Sequence, residues 1–469
     1  MRYKEDTRAI IARFFIGISL SISSLGIFLS NIPILDKIIL FFMFITYAIM
    51  IFIGINVLKK TKTAMLIFLL LAVYLWFAFF IKLALTINFP ETTWVTSTLF
   101  SPEVVSNEIS GSFFTIYLGL LALPIGFLIR NNYAEKKYDE SILVIKHKVF
   151  FITISGLLIL RFFNQTVLNI GMPGVKPDEL PIPFLTGILE MLSSAVVMSL
   201  VNLYFYSIFR LKERKGLWSA GLLMLLNVFM GLRVGYKSEL VIQVLLLIYY
   251  VVDVREFLSI SQRKNFLITT ILCIVIVVFI YPYVNYYRTY MINGGNMTEA
   301  VNSALKDNDS GSFLVEFSSR INGIDVYYAA TKLAANNNNI NFFSLFNQDV
   351  MELIKFDLYG AAQDDAVTAF GTTQFSVLYL MDGVISLTLG AFIIGWGIRW
   401  LITFIPSKIL KSPVAFASYL PSFCLLCISF LSSGGEMLLF IKKLFIVIVS
   451  LFIAEKVCYV KKRNHRVGL

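Results

Sequence analysis

About a dozen apolar runs, most of them close to twenty residues long, divide this sequence of 469 residues. One helical crossing of a lipid bilayer needs roughly 20 apolar residues. Charged residues make up only 15% of the chain, whereas soluble domains carry about 25%. The sequence therefore predicts an all-α polytopic membrane protein with about twelve transmembrane helices. The predicted spans are residues 10–30, 36–57, 64–87, 112–129, 149–170, 184–209, 217–232, 239–253, 266–284, 384–404, 413–431 and 437–457.

Basic residues cluster in alternate connections between these runs, and the intervening short connections carry few of them. Connections rich in Lys and Arg face the cytoplasm under the positive-inside rule. This pattern places both termini in the cytoplasm, which requires an even number of crossings and agrees with twelve spans. The clusters account for the net charge of +11, so no nucleic-acid partner is expected. They lie within residues 2–8, 59–62, 130–148, 210–215, 255–264, 408–411 and 461–466.

One long polar segment falls on the outer side under this assignment. Apolar residues recur there at intervals of three and four between Phe313 and Tyr328, which is helical spacing. We therefore expect a folded loop, with a surface helix that begins after Gly311 and ends before the four asparagines at 336–339. The chain would then consist of residues 1–284 with nine membrane helices, the outer loop 285–383, and residues 384–469 with three helices and a cytoplasmic tail.

The first apolar run is predicted to be a retained helix. It continues too far for a secretory signal and lacks a cleavage site of small residues. The four cysteines lie inside or beside apolar runs, so neither a disulfide nor a zinc site is indicated.

Several cations fall at or near the predicted outer ends of spans, where the positive-inside rule disfavours them. A charge within a span costs at least ~2.5 kcal/mol on insertion scales, so such residues usually face a cavity and mark a substrate path. Several cations that converge would form an anion-binding site. These residues are Lys82, Arg161, Arg233, Lys237, Arg288, Lys442 and Lys443.

The lysines of this set also have a simpler interpretation. A lysine near a helix end can extend its amine to the lipid headgroups at little cost, and for Lys82 this interpretation is favoured. Lys442 and Lys443 are adjacent and point about 100° apart on a helix, so at most one of them needs to face a cavity.

The arginines fit a binding site better. Arg161 precedes Asn164 and Gln165, which predicts a polar patch facing the helix bundle. Arg233 lies in the segment VFMGLRVGYKSEL between two short spans, where Gly231 and Gly235 can open the backbone at the membrane surface. Arginine suits oxyanions because its planar guanidinium donates two parallel hydrogen bonds and stays charged.

Two further arginines lie in or beside the outer loop. Arg288 follows the ninth span in YPYVNYYRTY, whose tyrosines would either anchor the chain at the interface or stack on sugar rings. Arg320 has Glu316 four residues before it, so an ion pair within one helix is the alternative to a functional role.

Histidine chemistry on the outer side is excluded. The chain has two histidines, His147 and His465, and both fall on predicted cytoplasmic connections. The sequence also lacks a phosphate-binding glycine–lysine loop, a GxSxG turn and an HExxH motif. No metal and no cofactor are therefore predicted.

The pattern resembles the Wzy family of O-antigen and oligosaccharide repeat-unit polymerases. The shared features are about a dozen spans, one large outer loop late in the chain, and an arginine in a GxR stretch after the seventh span, here Gly231-Leu232-Arg233. The segment from Phe370 to Gly395 is similar to the stretch of that family in which a surface helix meets a glycine-marked span.

The resemblance implies a glycosyltransferase of the bacterial inner membrane that makes O-antigen, capsule or exopolysaccharide. Such an enzyme transfers a growing glycan from undecaprenyl pyrophosphate to a new lipid-linked repeat unit on the outer face of the membrane. A chain-length regulator protein is a further partner that this resemblance implies. The implied catalytic residues are Arg233, Arg288, Arg320, Asp325 and Glu239, with Glu316 as another candidate base, and the implied pyrophosphate or glycan contacts are Arg161, Lys237, Tyr236, Tyr287 and Lys442.

Three other functions stay open at this point. A flippase for the same lipid-linked oligosaccharide would also use cations in the membrane, but it does not need a folded outer loop and commonly shows two related halves. O-antigen ligases share the architecture and are expected to use a histidine in the outer loop, where this chain has none. A membrane acyltransferase would want a catalytic histidine or arginine pair facing the cytosol or a channel, and the histidine count argues against it.

Overall fold

A computed structural model of the chain describes residues 7–58, 61–90, 101–129, 143–170, 183–211, 215–233, 323–335, 373–410, 413–433 and 437–461, with single positions at 264, 268, 271, 272 and 275. Nearly all of these residues are helical. The helices are α1 (Thr7–Leu29), α2 (Ile34–Leu58), α3 (Lys62–Leu75), α4 (Lys82–Asn88), α5 (Pro102–Leu128), α6 (His147–Val167), α7 (Pro183–Met191), α8 (Val197–Arg210), α9 (Leu217–Arg233), α10 (Ile324–Ala335), α11 (Gln374–Lys408), α12 (Pro413–Ser433) and α13 (Met437–Val457). The strands β1 (Leu143–Ile145) and β2 (Tyr459–Lys461) form one antiparallel pair.

Six helices in the described part of the chain are long and apolar enough to cross a membrane. Two of them contain a π-helical turn, at Trp76–Ile81 between α3 and α4 and at Leu192–Val196 between α7 and α8. The described part of the chain is therefore almost entirely α-helical, and its helices suit a bilayer, as predicted. Described helices coincide with ten of the predicted spans. The spans predicted at 239–253 and 266–284 lie outside the described residues apart from the single positions, so the count of twelve stays a prediction.

Helices α5 and α11 make close backbone contact through glycines. A Cβ atom on Gly395 would lie 1.9 Å from the carbonyl oxygen of Leu123, and one on Gly126 would lie 2.1 Å from that of Phe392. Small residues allow such approach between apolar helices, for which packing rather than water exclusion supplies the attraction inside a membrane. Gly126 and Gly395 thus have a packing role.

A break divides α11 into a short and a long helix. Asp382 and Gly383 have non-helical backbone angles, and Gly383 has a φ of 58°, which glycine adopts without strain. Thr373 caps the short helix by accepting a hydrogen bond from the Ser376 amide at 3.0 Å. The predicted span began at residue 384, which agrees with the break. The preceding residues were predicted to belong to the outer loop, but they form a buried helix in which Phe375 packs edge-on against Phe79.

Helix α10 corrects the prediction of a surface helix in the outer loop. It ends before the asparagine run, as predicted, but residues 324 and 326–330 are fully buried among α4, α5 and α11. Its start fits closely, because a Cβ atom on Gly323 would lie 1.8 Å from the Ala78 carbonyl oxygen in the first π-helical turn. Ala78 lies ten residues before the end of α4, roughly 15 Å along the helix axis. Helix α10 is therefore part of the bundle.

The ends of several helices meet in a polar cluster at one side of the bundle. His147 Nδ1 lies 3.1 Å from the Tyr204 hydroxyl, which lies 2.9 Å from the Ser219 hydroxyl. Ser207 is hydrogen-bonded to Tyr459, beside the β1–β2 pair. The starts of α6 and α9 and the ends of α8 and α13 thus meet at this polar cluster, and the charge pattern assigns all four ends to the cytoplasmic side.

Candidate functional site

Arg161 is buried between α6 and α9, with 2% of its surface exposed. Its Nη1 donates a hydrogen bond to Asn227 Oδ1 at 2.8 Å. Asn164 and Gln165 are buried on the same face of α6. The prediction of a bundle-facing polar patch at these three residues is confirmed.

Arg233 is the last residue of α9, and its side chain lies against α6, the helix that carries Arg161. Its guanidinium carbon is 4.6 Å from the centroid of the Phe162 ring, a cation–π contact. Arg161 and Arg233 are about 21 Å and 24 Å along their helices from the starts of α6 and α9. Because both helices begin at the polar cluster around Tyr204, the two arginines lie toward the opposite side of the bundle.

Lys82 forms a buried ion pair with Asp325, with 2.8 Å between Nζ and the nearer carboxylate oxygen. The side chains are 2% and 0% exposed. The favoured interpretation that Lys82 extends to the headgroups is wrong, because α10 covers it and supplies a carboxylate. Asp325 was proposed from the resemblance as a catalytic base. In the structure this carboxylate is paired with Lys82 and enclosed by α10, so it can reach an acceptor sugar only if α10 moves.

A second charged group lies at the other end of α10. The Tyr328 hydroxyl donates to Glu108 Oε2 at 2.8 Å, and Lys332 forms an ion pair with the same carboxylate. Burial first, and then the Glu108 carboxylate, raise the pKa of the Tyr328 phenol, so this hydroxyl stays a donor. Glu108 itself lies in the second turn of α5.

The remaining predicted site residues divide into two groups. Lys442 is on α13 and is exposed. The adjacent Lys443 is partly buried. The other predicted residues lie outside the described part of the chain, and their roles stay predictions. These are Tyr236, Lys237, Glu239, Tyr287, Arg288 and Arg320.

The structure thus brings Arg161 and Arg233 to one helix pair, and it places Lys82 in a separate ion pair with Asp325. Sequence reasoning missed Asn227, which is fully buried and holds Arg161. A signal for it existed, since Asn227 is the one amide in the apolar stretch of α9, and polar residues inside spans are costly and often functional.

Comparison of the chain with family models, with curated proteins and with solved structures gave no match. Within the described residues, no three or more His, Cys, Asp or Glu side chains are grouped so that they could hold a metal ion.

Proposed function

We propose that this protein is a polymerase of lipid-linked oligosaccharide repeat units in the bacterial cytoplasmic membrane. The observation that carries the proposal is the pair of arginines, Arg161 and Arg233, on the adjoining helices α6 and α9, away from the polar cluster around Tyr204. If that cluster faces the cytoplasm, as the charge pattern predicts, the two guanidinium groups lie toward the outer side, where a lipid-linked donor would be used.

The reaction needs positive charge at its leaving group. An acceptor hydroxyl oxygen bonds to the anomeric carbon of the donor glycan, the bond from that carbon to the pyrophosphate oxygen breaks, and a base takes the hydroxyl proton. Undecaprenyl pyrophosphate leaves with the extra negative charge. A guanidinium can stabilise this charge with two parallel hydrogen bonds in a site shielded from water.

The segment that precedes the tenth predicted span gives further support. The resemblance implies a helix followed by a glycine-marked span, and the chain has a capped short helix, a break at Asp382–Gly383, and a long helix with Gly390 and Gly395 in close packing. The short helix is buried instead of lying on a surface.

The test is chain elongation in vitro. The purified protein in proteoliposomes is given lipid-linked repeat units extracted from the source bacterium, and the products are separated by gel electrophoresis. We expect Arg233→Ala to lower the elongation rate by at least about 100-fold, as removal of one charge-stabilising donor does in other enzymes. Arg233→Lys should recover only part of the rate, because lysine lacks the planar donor pair.

Arg13→Ala serves as the control. Arg13 lies in the second turn of α1 and hydrogen-bonds Asn56. This variant should elongate chains at the wild-type rate. Wild-type activity in Arg233→Ala would contradict the proposed role. A deletion strain decides between the polymerase and the flippase, because loss of a polymerase leaves surface glycan of one repeat unit, whereas loss of a flippase leaves none.

A further inference from the structure

Glu190 is an exposed carboxylate near the start of the helical span Leu185–Arg210. Its distance from Arg210 along the helix axis is about 30 Å, which matches the thickness of the hydrocarbon core of a bilayer. The end of this span lies at the polar cluster around Tyr204, beside the β1–β2 pair. When the span crosses a membrane, Glu190 therefore lies at the opposite boundary, where water and lipid head groups reach it.

The carboxylate of Glu190 is available to a bound molecule. In the part of the chain that the structure describes, it makes neither a hydrogen bond nor an ion pair. Only the backbone carbonyl of this residue is engaged, by a hydrogen bond from the Ser194 hydroxyl at 2.7 Å. Because the side chain is exposed, a substrate can reach it without any movement of the helices.

The backbone around Glu190 is attached to the helix that carries Arg161. Asn164 of α6 donates a hydrogen bond from Nδ2 to the Leu189 carbonyl at 3.2 Å. The π-helical turn Leu192–Val196 follows directly and contacts α6 as well. Such turns inside helices are frequent at functional sites. Glu190 is thus held beside α6, at the depth of Asn164.

The proposed reaction needs a base for the acceptor hydroxyl, and the carboxylates on the page differ in whether they can serve. Asp325 is buried and paired with Lys82. Glu108 is partly exposed but forms an ion pair with Lys332, which lowers the pKa of this carboxyl and weakens it as a base. Glu190 is exposed, has its carboxylate oxygens available and lies next to the helix of Arg161.

We propose that Glu190 is the general base that activates the acceptor sugar. A carboxylate oxygen of Glu190 takes the proton of the acceptor hydroxyl while the hydroxyl oxygen bonds to the anomeric carbon of the donor glycan. The bond from that carbon to the pyrophosphate oxygen breaks, and its electron pair leaves with undecaprenyl pyrophosphate. The proton then passes from Glu190 to water at the membrane boundary. The identity of the acceptor rests on the proposed function.

The decisive variant is Glu190→Gln, which removes the base and keeps the size of the side chain. It is assayed by chain elongation in proteoliposomes over a range of concentrations of the lipid-linked repeat unit. We expect kcat to fall by about 100-fold or more, as loss of a general base does in other enzymes. KM should stay unchanged, because the proton is transferred only in the transition state. The melting temperature should also stay unchanged, since the side chain is exposed.

Glu103→Gln is the matched control. Glu103 is another exposed carboxylate, in the first turn of α5 at its predicted outer end. This variant should elongate chains at the wild-type rate. An equal loss in both variants would mean that the reaction responds to the surface charge and would overturn the role of Glu190.

Formate provides a readout that a structural role would not change. Glu190→Ala leaves space for a small carboxylate, so added formate should raise its elongation rate severalfold. The same formate should leave the rate of Arg233→Ala unchanged, because that variant lacks a cation and keeps the base. A rate of Glu190→Ala that does not respond to formate would contradict the proposal.

The outcomes separate this role from the proposed function. If the wild type elongates chains and Glu190→Gln has the wild-type kcat, the polymerase function stands and Glu190 is only a solvated side chain at the membrane boundary. If the purified wild type does not elongate chains, the polymerase function is lost and the role of Glu190 is lost with it.

Discussion

At the scale of single residues, the ion pair of Lys82 with Asp325 holds α10 in the bundle. Two charges in a buried place each lose their hydration, and their attraction repays this only while both are present. Lys82→Met leaves the buried Asp325 carboxylate without the cation that faces it, and Asp325→Asn removes the negative charge that faces the buried Lys82 amine. We expect either single change to cost about 3–5 kcal/mol of stability. Thermal unfolding of the detergent-purified protein, followed by intrinsic fluorescence, measures the loss as a lower melting temperature.

The double variant Lys82→Met with Asp325→Leu serves as the control for this prediction. It removes both charges, so its melting temperature should lie closer to that of the wild type than those of the single variants. If the double variant instead loses the sum of the stabilities lost by the two single variants, the two side chains do not interact. Chain elongation by the double variant adds a second result, since a catalytic role of Asp325 would leave it inactive although stable.

At the scale of helices, the contact of α5 with α11 depends on Gly395. Gly397, two residues later, provides a matched control. Gly395→Ala would place a methyl group 1.9 Å from the Leu123 carbonyl oxygen, so the helices must separate. Overpacking of this kind typically costs about 1–3 kcal/mol. At Gly397 a Cβ atom would meet nothing within 4 Å. We expect a lower melting temperature for Gly395→Ala and an unchanged or higher one for Gly397→Ala, and equal values for both would contradict the packing role.

The helices themselves could be predicted from the sequence, because an apolar run has few alternatives to a helix in a bilayer. The place of α10 could not. Its position within a long polar segment predicted a helix on the surface, but residues on neighbouring helices satisfy its polar side chains equally well. Asp325 pairs with Lys82, and Thr331 lies 2.9 Å from the Ser112 hydroxyl. Of the candidate site, the buried face of Arg161 was predictable from its polar neighbours. The pairing itself was not, because Asn227 and Asp325 are distant in sequence from Arg161 and Lys82 and nothing local shows which residues meet.

At the scale of the whole molecule, the proposed function depends on which side of the membrane each end of the bundle faces. Cysteine labelling on intact cells tests this at two exposed positions, with Glu103→Cys at the start of α5 and Lys215→Cys before α9. A membrane-impermeant maleimide should label Glu103→Cys in intact cells and Lys215→Cys only after permeabilisation. The wild-type chain gives the background from the native cysteines.

Cys458 contributes little to that background, because burial raises the pKa of its thiol to about 11, although the nearby Lys146 lowers it in part. At pH 7 roughly one ten-thousandth of it is the reactive thiolate, and its labelling should rise with pH toward 11. Labelling of Lys215→Cys in intact cells would place the polar cluster around Tyr204 outside and Arg161 and Arg233 toward the cytoplasm. The charge pattern would then have been misread, and a polymerase acting on outer-face lipids would have lost its binding arginines.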